Sequence, residues 1–230
     1  MKILERLFHP SYHAICVLAG LALCFAAPVS HATPKPEDDI SRTPSVNQSL
    51  EEVSHKFFDK VYAKQNLSLS GATKIYVGKV SASFSKYWER DHRTDVTRRY
   101  KTSTLERYSR LLQEQLNNAI EKSEMYEVVN NAAEADLIFQ PALNRLNIFA
   151  PDDFIGKSLV FQAGLAELDL LVVDARSNEA LIHYVDNRDT RYTASSRPVR
   201  ANRATNTHDF KMLMKKWSVR VVKDMELRAQ

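Results

Sequence analysis

Cysteine is nearly absent from this sequence, with two residues in 230. Cys16 and Cys24 both lie in an apolar stretch near the N-terminus, which we expect to be removed from the mature protein. The remaining chain would then contain no thiol. Disulfide bonds, catalysis by a thiol and cysteine-ligated zinc are therefore excluded for the mature protein.

Glycine is also scarce, with five residues in the whole chain. No G-x-S-x-G motif is present, so the strained turn that exposes a catalytic serine is not indicated. Gly156-Lys157-Ser158 matches the end of a phosphate-binding loop, but Pro151 stands where that motif requires its first glycine. Proline lacks the N–H group that would contact a phosphate. The sequence predicts no nucleotide site and no cofactor.

The chain carries no strong excess of one charge. Its formal net charge is +4 and its isoelectric point is near 9.0. Proteins that bind nucleic acid usually concentrate much more positive charge on one face, so we expect no nucleic-acid partner. A content of 44% hydrophobic and 26% charged residues is typical of a folded globular domain.

The N-terminus has the three parts of a secretory signal. Lys2 and Arg6 precede the apolar run from Ala14 to Ala27, and Ser30-His31-Ala32 supplies small residues at the positions that signal peptidase reads. The run is shorter than the ~20 residues that a membrane-spanning helix needs. We expect cleavage after Ala32, a periplasmic protein, and no integral membrane span after cleavage.

Cys24 leaves one alternative open for this segment. Leu21-Ala22-Leu23-Cys24 resembles a lipoprotein signal, in which the cysteine becomes the acylated first residue. Such signals generally have a small residue before the cysteine, and Leu23 is large. An outer-membrane lipoprotein anchored through Cys24 is therefore the alternative to a cleaved periplasmic protein.

The remaining chain predicts a flexible lead-in at residues 33–48 and a single α/β domain at residues 49–230. Apolar residues at helical spacing predict helices at residues 49–64, 103–122 and 207–228, the first two beginning with possible capping boxes. Apolar alternation and short apolar runs predict strands at residues 74–83, 126–129, 135–149, 161–174 and 179–189. Loops are expected at residues 84–101, 151–158 and 192–206. The predicted fold class is α+β, a two-layer α/β sandwich with a mostly antiparallel sheet of about five strands against two or three helices.

The last two strands form a predicted hairpin in which Asn178 adopts a positive φ, since asparagine tolerates that conformation. The register stays open at this point. A two-residue turn at Ser177-Asn178 would place Glu167 opposite Arg188, whereas a longer turn shifts every pair.

Several segments between about Ile75 and Met225 form one architectural pattern. They are KIYVGKV, YEVV, ADLIFQPALNRL, ELDLLVVDARSNEALIHYVDNRD and a terminal helix bearing Trp217. In this combination the chain resembles a bacterial family known only as a domain of unknown function, whose members are envelope proteins, many of them lipoproteins. Asn178 stands where that family more often has glycine, and Leu23 departs from its common lipoprotein signal. The resemblance implies fold and compartment and carries no catalytic residues.

Candidate metal ligands are close in sequence but lack a metal-site spacing. Glu89, Asp91, His92 and Asp95 fit neither H-E-x-x-H nor a calcium loop, so we interpret them as a solvated loop and predict no metal site.

Two carboxylates alternate on one predicted strand. Glu167 and Asp169 would be ~6–7 Å apart, within the range of glycosidase pairs, although alternating carboxylates are more typical of the wet face of a strand. We predict a protein that is not an enzyme. A wall-directed hydrolase using Glu167, Asp169 or Asp186 is an alternative.

Two arginine-rich segments are the remaining functional signal. Arginine recognises phosphate and carboxylate through its planar fork, and neighbouring aromatic rings can stack on planar groups. The candidate anion- or partner-binding residues are Trp88, Arg98, Arg99, Arg197, Arg200 and Arg203. The leading hypothesis is a non-enzymatic periplasmic protein that binds another envelope component, a protein, through its loops and an exposed sheet edge or helix face. The alternative is a binder of anionic lipid or glycan through these arginines.

Overall fold

The structure is a computed structural model that describes residues 50–91, 95–149, 159–190 and 198–230, with the backbone only at residues 91, 95–100 and 199. The predicted signal peptide and lead-in, residues 1–48, lie outside the described residues, as does the predicted loop at residues 151–158. The cleavage site, the Cys24 alternative and the domain boundaries therefore stay predictions.

The described residues contain ten strands and three helices. The strands are β1 (Glu51–Val53), β2 (Lys60–Ala63), β3 (Lys74–Val77), β4 (Ser81–Phe84), β5 (Glu127–Val129), β6 (Leu137–Ile148), β7 (Leu159–Val160), β8 (Gly164–Asp174), β9 (Ala180–Asp189) and β10 (Val199–Arg200). The helices are α1 (Lys86–Asp91), α2 (Asp95–Ile120) and α3 (Arg203–Ala229).

Within the described residues, eight strands form one mixed, open sheet in the order β1-β2-β9-β8-β6-β3-β5, with β4 also paired to β6. Pairing is antiparallel from β1 to β6 and parallel where β3, β4 and β5 join. The α+β class is confirmed, but the sheet has eight strands instead of about five. The sheet is mostly antiparallel, as predicted, and it gains parallel pairs because the helical crossover between β4 and β5 returns the chain in the same direction.

The helices cover one face of the sheet, which gives the predicted two layers. Alternating residues of β8 point into this layer because successive strand side chains point to opposite faces. The buried residues of β8 that alternate in this way are Ala166, Leu168, Leu170 and Val172. They belong to one core with the apolar stripes predicted on α2 and α3, so both stripes are confirmed. The stripe residues in this core are Tyr108, Leu112, Leu116, Ile120, Phe210, Leu213, Trp217 and Val221.

The predicted helix at residues 49–64 is wrong, because the structure forms β1 and β2 there. Val61 and Ala63 are buried while Lys60 is exposed and Tyr62 is half-buried, which is the period of a strand. β2 pairs along β9, with Val61 opposite Tyr184. The edge of β9 supplies backbone partners to this segment, and that non-local pairing overrides the helical spacing of its apolar residues.

The predicted loop at residues 84–101 is also wrong, because it contains α1 and the beginning of α2. Ser103 and Glu106 lie inside α2 and do not cap its start. The segment is polar, but arginine, lysine and glutamate are good helix formers, so polarity alone does not argue against a helix. In the same way α3 begins at Arg203, before the predicted start, with Asn202 as its capping residue.

The β8–β9 hairpin has the longer of the two possible turns. Asn178 has the predicted positive φ of 55°. The backbone N–H of Asp174 donates to the carbonyl of Glu179, so four residues form the loop. Arg188 consequently lies opposite Ala166, and Glu167 lies opposite Asn187. The register with Glu167 opposite Arg188 is therefore wrong.

Asp174 stabilises this turn through one carboxylate oxygen. Oδ1 accepts hydrogen bonds from the backbone N–H groups of Arg176 at 3.0 Å and Ser177 at 2.7 Å, and from the Ser177 hydroxyl at 2.9 Å. The Ser177 bonds hold the pKa of Asp174 below its usual 3.8. We expect Asp174→Ala to lower the free energy of unfolding by about 1–2 kcal/mol at neutral pH, measured by urea denaturation.

A lowered folded-state pKa means that the contribution of Asp174 is present above its usual pKa and is lost as the pH falls through the lowered value. The difference between wild type and Asp174→Ala should therefore shrink in acid. Arg176→Ala, at an exposed position of the same turn, should change the stability by less than about 0.5 kcal/mol. Equal effects of the two substitutions would contradict this assignment.

Candidate functional site

The two arginine-rich segments start at the same end of the sheet. β4 is parallel to β6, and β9 also runs with β6 because both are antiparallel to β8. In chain order β4 is followed by α1 and α2, and β9 is followed by β10 and α3. The two long helices are parallel: the rings of Tyr108 and Phe210 are 4.8 Å apart, and further along Ser123 donates to Glu226 at 2.6 Å. We call this end, with the last residues of β4 and β9 and the first of α2 and α3, the loop end.

Four of the five predicted arginines lie in described elements at the loop end. Arg98 and Arg99 lie in the first turns of α2, where only the backbone is described. Arg200 is in β10, and Arg203 is the first residue of α3; both are exposed. Arg197 lies outside the described residues. The topology brings the two segments to one end, and binding by these arginines stays a prediction.

Trp88 lies in the core and not on the surface of the loop end. Its side chain is 3% exposed, its ring stacks on Phe84 at 3.9 Å, and its Nε1 donates to the carbonyl of Ile148 at 3.1 Å. Its described contacts are those of a residue that fixes α1 to β6. The exposed aromatic ring of α1 is that of Tyr87, with the Arg90 guanidinium 5.4 Å from its centre.

The three carboxylates of the hydrolase alternative do not share one site. Glu167 and Asp169 lie on the open face of the sheet, where Glu167 is 3.4 Å from Arg145 and Asp169 is 2.8 Å from His183. Asp186 lies on the opposite face and is fully buried beneath α3. No group of three histidine, cysteine, aspartate or glutamate residues able to hold a metal occurs in the described part of the chain.

A groove runs along the outer side of α3, where the connection between β1 and β2 lies against the helix. We call it the α3 groove. Its volume is about 430 Å³. Its apolar lining consists of Phe57, Met212, Val219 and Leu227. Two of these are unusually open to solvent for their type, since Phe57 is 42% exposed and Leu227 is 71% exposed.

Four cationic side chains border this apolar lining: Lys215, Lys216, Arg220 and Lys223. The Arg220 guanidinium lies 4.3 Å from the centre of the Phe57 ring, which ties the β1–β2 connection to α3. Lys215 and Lys223 are exposed and form no ion pair among the described residues. The groove therefore presents positive charge beside exposed apolar surface.

His55 and Asp224 form the polar end of the α3 groove. His55 Nδ1 accepts hydrogen bonds from the backbone N–H groups of Phe57 at 3.0 Å and Phe58 at 3.2 Å. Its other nitrogen, Nε2, therefore carries the proton and faces Asp224 Oδ1 at 3.3 Å. Both ring nitrogens are occupied, so His55 shapes the connection between β1 and β2.

Asp224 is bound from two further sides. Its Oδ2 accepts a hydrogen bond from Tyr184 Oη at 2.7 Å and another from Arg228 Nε at 2.8 Å. Burial, and then the Asp224 carboxylate, raise the pKa of Tyr184 well above 10, so the phenol keeps its proton and donates it. The one carboxylate that lines the groove is thus held by the protein itself.

The sequence interpretation missed the α3 groove, although α3 carries a signal for it. Met212, Val219 and Leu227 recur at seven and eight residues, which forms a second apolar stripe beside the core stripe of the helix. Lysine and arginine lie between and beside these residues, and positive charge next to apolar residues is typical of helices that meet anionic surfaces. Phe57 could not be added to this stripe from sequence, because residues 49–64 were predicted to be helical.

None of the helices in the described ranges has the length and apolar character needed to cross a membrane. No protein-family model matches the sequence, and no curated protein matches it.

Solved structures give distant similarities. A PelC dodecamer variant from Paraburkholderia phytofirmans aligns with 74% of this chain and 98% of its own, at 9% identity and a TM-score of 0.43. A DUF330 protein from Xanthomonas campestris aligns over 73% of this chain and 91% of its own, at 13% identity and a TM-score of 0.41. A putative neuraminyllactose-binding hemagglutinin homolog from Helicobacter pylori aligns over 70% and 92%, at 11% identity and a TM-score of 0.33. At these scores the similarities carry no functional argument.

Proposed function

We propose that this chain is a non-enzymatic protein of the cell envelope that binds another envelope component, with the α3 groove as its binding surface. One observation carries the proposal: exposed apolar side chains lie together with Lys215 and Lys223, which form no ion pair among the described residues, along the α3 groove. Exposed apolar surface with a polar border is typical of interaction sites. The positive, apolar and small-residue pattern of residues 1–32 supports export to the envelope.

The polar groups next to the groove support binding more than catalysis. A general base needs a free nitrogen or oxygen within reach of a substrate proton. Both nitrogens of His55 already face protein groups, and Asp224 accepts from Tyr184 and Arg228. These contacts support a rigid surface that holds a ligand in place.

A second candidate function uses the loop end to bind an anionic lipid or glycan. Arg200 and Arg203 are exposed there, next to the start of α3. The positive end of the helix dipole adds to their attraction for an anion. This candidate requires different residues from the α3 groove, so a single experiment can separate the two.

Two exposed leucines provide that experiment. Leu227 lies on the α3 groove and is 71% exposed, while Leu159 lies in β7 at the loop end and is 68% exposed. Native envelopes are crosslinked, and the protein is then purified as wild type, Leu227→Asn or Leu159→Asn. We expect a stoichiometric envelope component with wild type and with Leu159→Asn, and its loss with Leu227→Asn. Loss with Leu159→Asn alone would assign binding to the loop end, and recovery of nothing with wild type would refute the proposal.

A further inference from the structure

The apolar lining of the α3 groove is long and narrow. Met212 and Leu227, with Val219 between them, are fifteen residues apart on one helix, which is roughly 22 Å at 1.5 Å per residue. The hydrocarbon of one bilayer leaflet is about 15 Å thick, half of the ~30 Å core. The lining is therefore long enough to cover the acyl chain of a lipid along its length.

Lys215 and Lys223 lie along this lining, eight residues or roughly 12 Å apart on the helix, so a headgroup between them is within reach of both flexible side chains. Lysine lays its aliphatic stem along apolar surface and keeps its ammonium group in water. Lys215 and Lys223 are exposed and make no ion pair within the described residues. Asp224 would repel an anion, but its carboxylate is already held by Tyr184 and Arg228. The groove is thus complementary to a molecule with an apolar chain and an anionic head.

Other anionic ligands fit the groove less well. A free phosphate or an acidic glycan would use the lysines and leave Phe57 and Leu227 exposed to water. A volume of about 430 Å³ falls in the range of sites that hold small ligands, ~300–1,000 Å³.

We infer that the α3 groove binds an anionic membrane lipid, with its acyl chain against the apolar residues of the lining and its headgroup between Lys215 and Lys223. The inference rests on the proposed function and names the class of component that the groove takes.

Titration calorimetry with lysophosphatidylglycerol below its micelle concentration tests this inference on the protein as isolated from cells. We expect lysophosphatidylglycerol to bind at least about tenfold more tightly than lysophosphatidylcholine, which has no net charge. Lys215→Gln with Lys223→Gln should weaken binding roughly thirty-fold, because the double substitution removes both ammonium groups that attract the headgroup. Leu227→Asn should weaken binding of both lipids about tenfold, because the apolar contact is shared.

A matched double variant controls for the loss of charge. Lys79 and Lys122 are exposed lysines outside the lining of the α3 groove, and their replacement by glutamine should leave the affinity within about twofold. Equal weakening by both double variants would overturn the inference, as would full competition by inorganic phosphate. If lysophosphatidylglycerol does not bind but Leu227→Asn still abolishes recovery of an envelope protein, the lipid inference fails and the proposed function stands. If Leu227→Asn affects neither measurement, both fail.

Discussion

Replacing Asp186 with alanine is expected to lower the free energy of unfolding by about 3–5 kcal/mol. Asp186 is fully buried and accepts hydrogen bonds from three parts of the fold. The donors are the backbone N–H of Asp59 at 2.9 Å, Trp217 Nε1 at 2.6 Å and the Arg188 guanidinium at 2.5 and 3.0 Å. The carboxylate therefore joins β9 to α3 and to the start of β2.

The large effect follows from what the substitution leaves behind. Without the carboxylate, the indole N–H of Trp217 loses its acceptor beneath α3, and the partly buried guanidinium of Arg188 loses its ion pair with Asp186. A buried donor left without an acceptor costs more than the net value of the bond itself. This role also explains why Asp186 is a poor catalytic candidate, since its oxygens already serve the fold.

Urea denaturation of Asp186→Ala, with Glu167→Ala as control, measures this effect. Glu167 is a strand carboxylate whose ion-pair partner, Arg145, is largely exposed, so its removal should cost less than about 1 kcal/mol. A loss below about 1 kcal/mol for Asp186→Ala would contradict the assignment of this carboxylate as a buried junction.

Gly164→Ala is the second substitution with a large expected effect, a loss of about 3 kcal/mol or more. Gly164 begins β8 and pairs with Ile148, next to the bulge of β6. A methyl group on Gly164 would lie 1.9 Å from the carbonyl oxygen of Asn147 and 3.0 Å from the Phe210 ring. The nearest obstacle is backbone, so it cannot move aside as a flexible side chain would.

Gly71→Ala separates this clash from the general cost of replacing glycine. Gly71 has a φ of 87°, but nothing lies within 4 Å of the added methyl group. Its replacement should cost about 1–2 kcal/mol through backbone conformation alone. The two variants are compared by thermal and urea denaturation. If Gly164→Ala is no less stable than Gly71→Ala, the close approach of β8 to Asn147 is not rigid.

The elements that the sequence predicts well are those whose apolar pattern is set within the element itself. α3 and the later part of α2 bury one helical stripe each, and β8 and β9 are long strands joined at Asn178. The helix prediction for residues 49–64 failed because the apolar residues of this segment have helical spacing; they are Leu50, Val53, Phe57 and Val61. Only the edge of β9, more than a hundred residues away, makes the segment a strand.

The candidate site was likewise predictable from the sequence only in part. Arginine density in the sequence indicated two basic segments, and the sheet topology brings them to one end, although Trp88 is buried there. The α3 groove needs two segments that are far apart in sequence: α3, whose second stripe is visible, and Phe57, whose position depends on the β1–β2 connection. The residue pattern of one helix can indicate that the helix meets an anionic surface. It cannot reveal a groove that a second segment helps to form.

Photo-crosslinking in living cells tests the central claim most directly. A photoreactive residue is placed at Val219, in the α3 groove, and separately at Gln140, which is exposed on the open face of the sheet. If the α3 groove binds a lipid, we expect an adduct with the mass of a lipid at Val219 and no adduct at Gln140. An adduct at Gln140 with none at Val219, or none at either position, would contradict it.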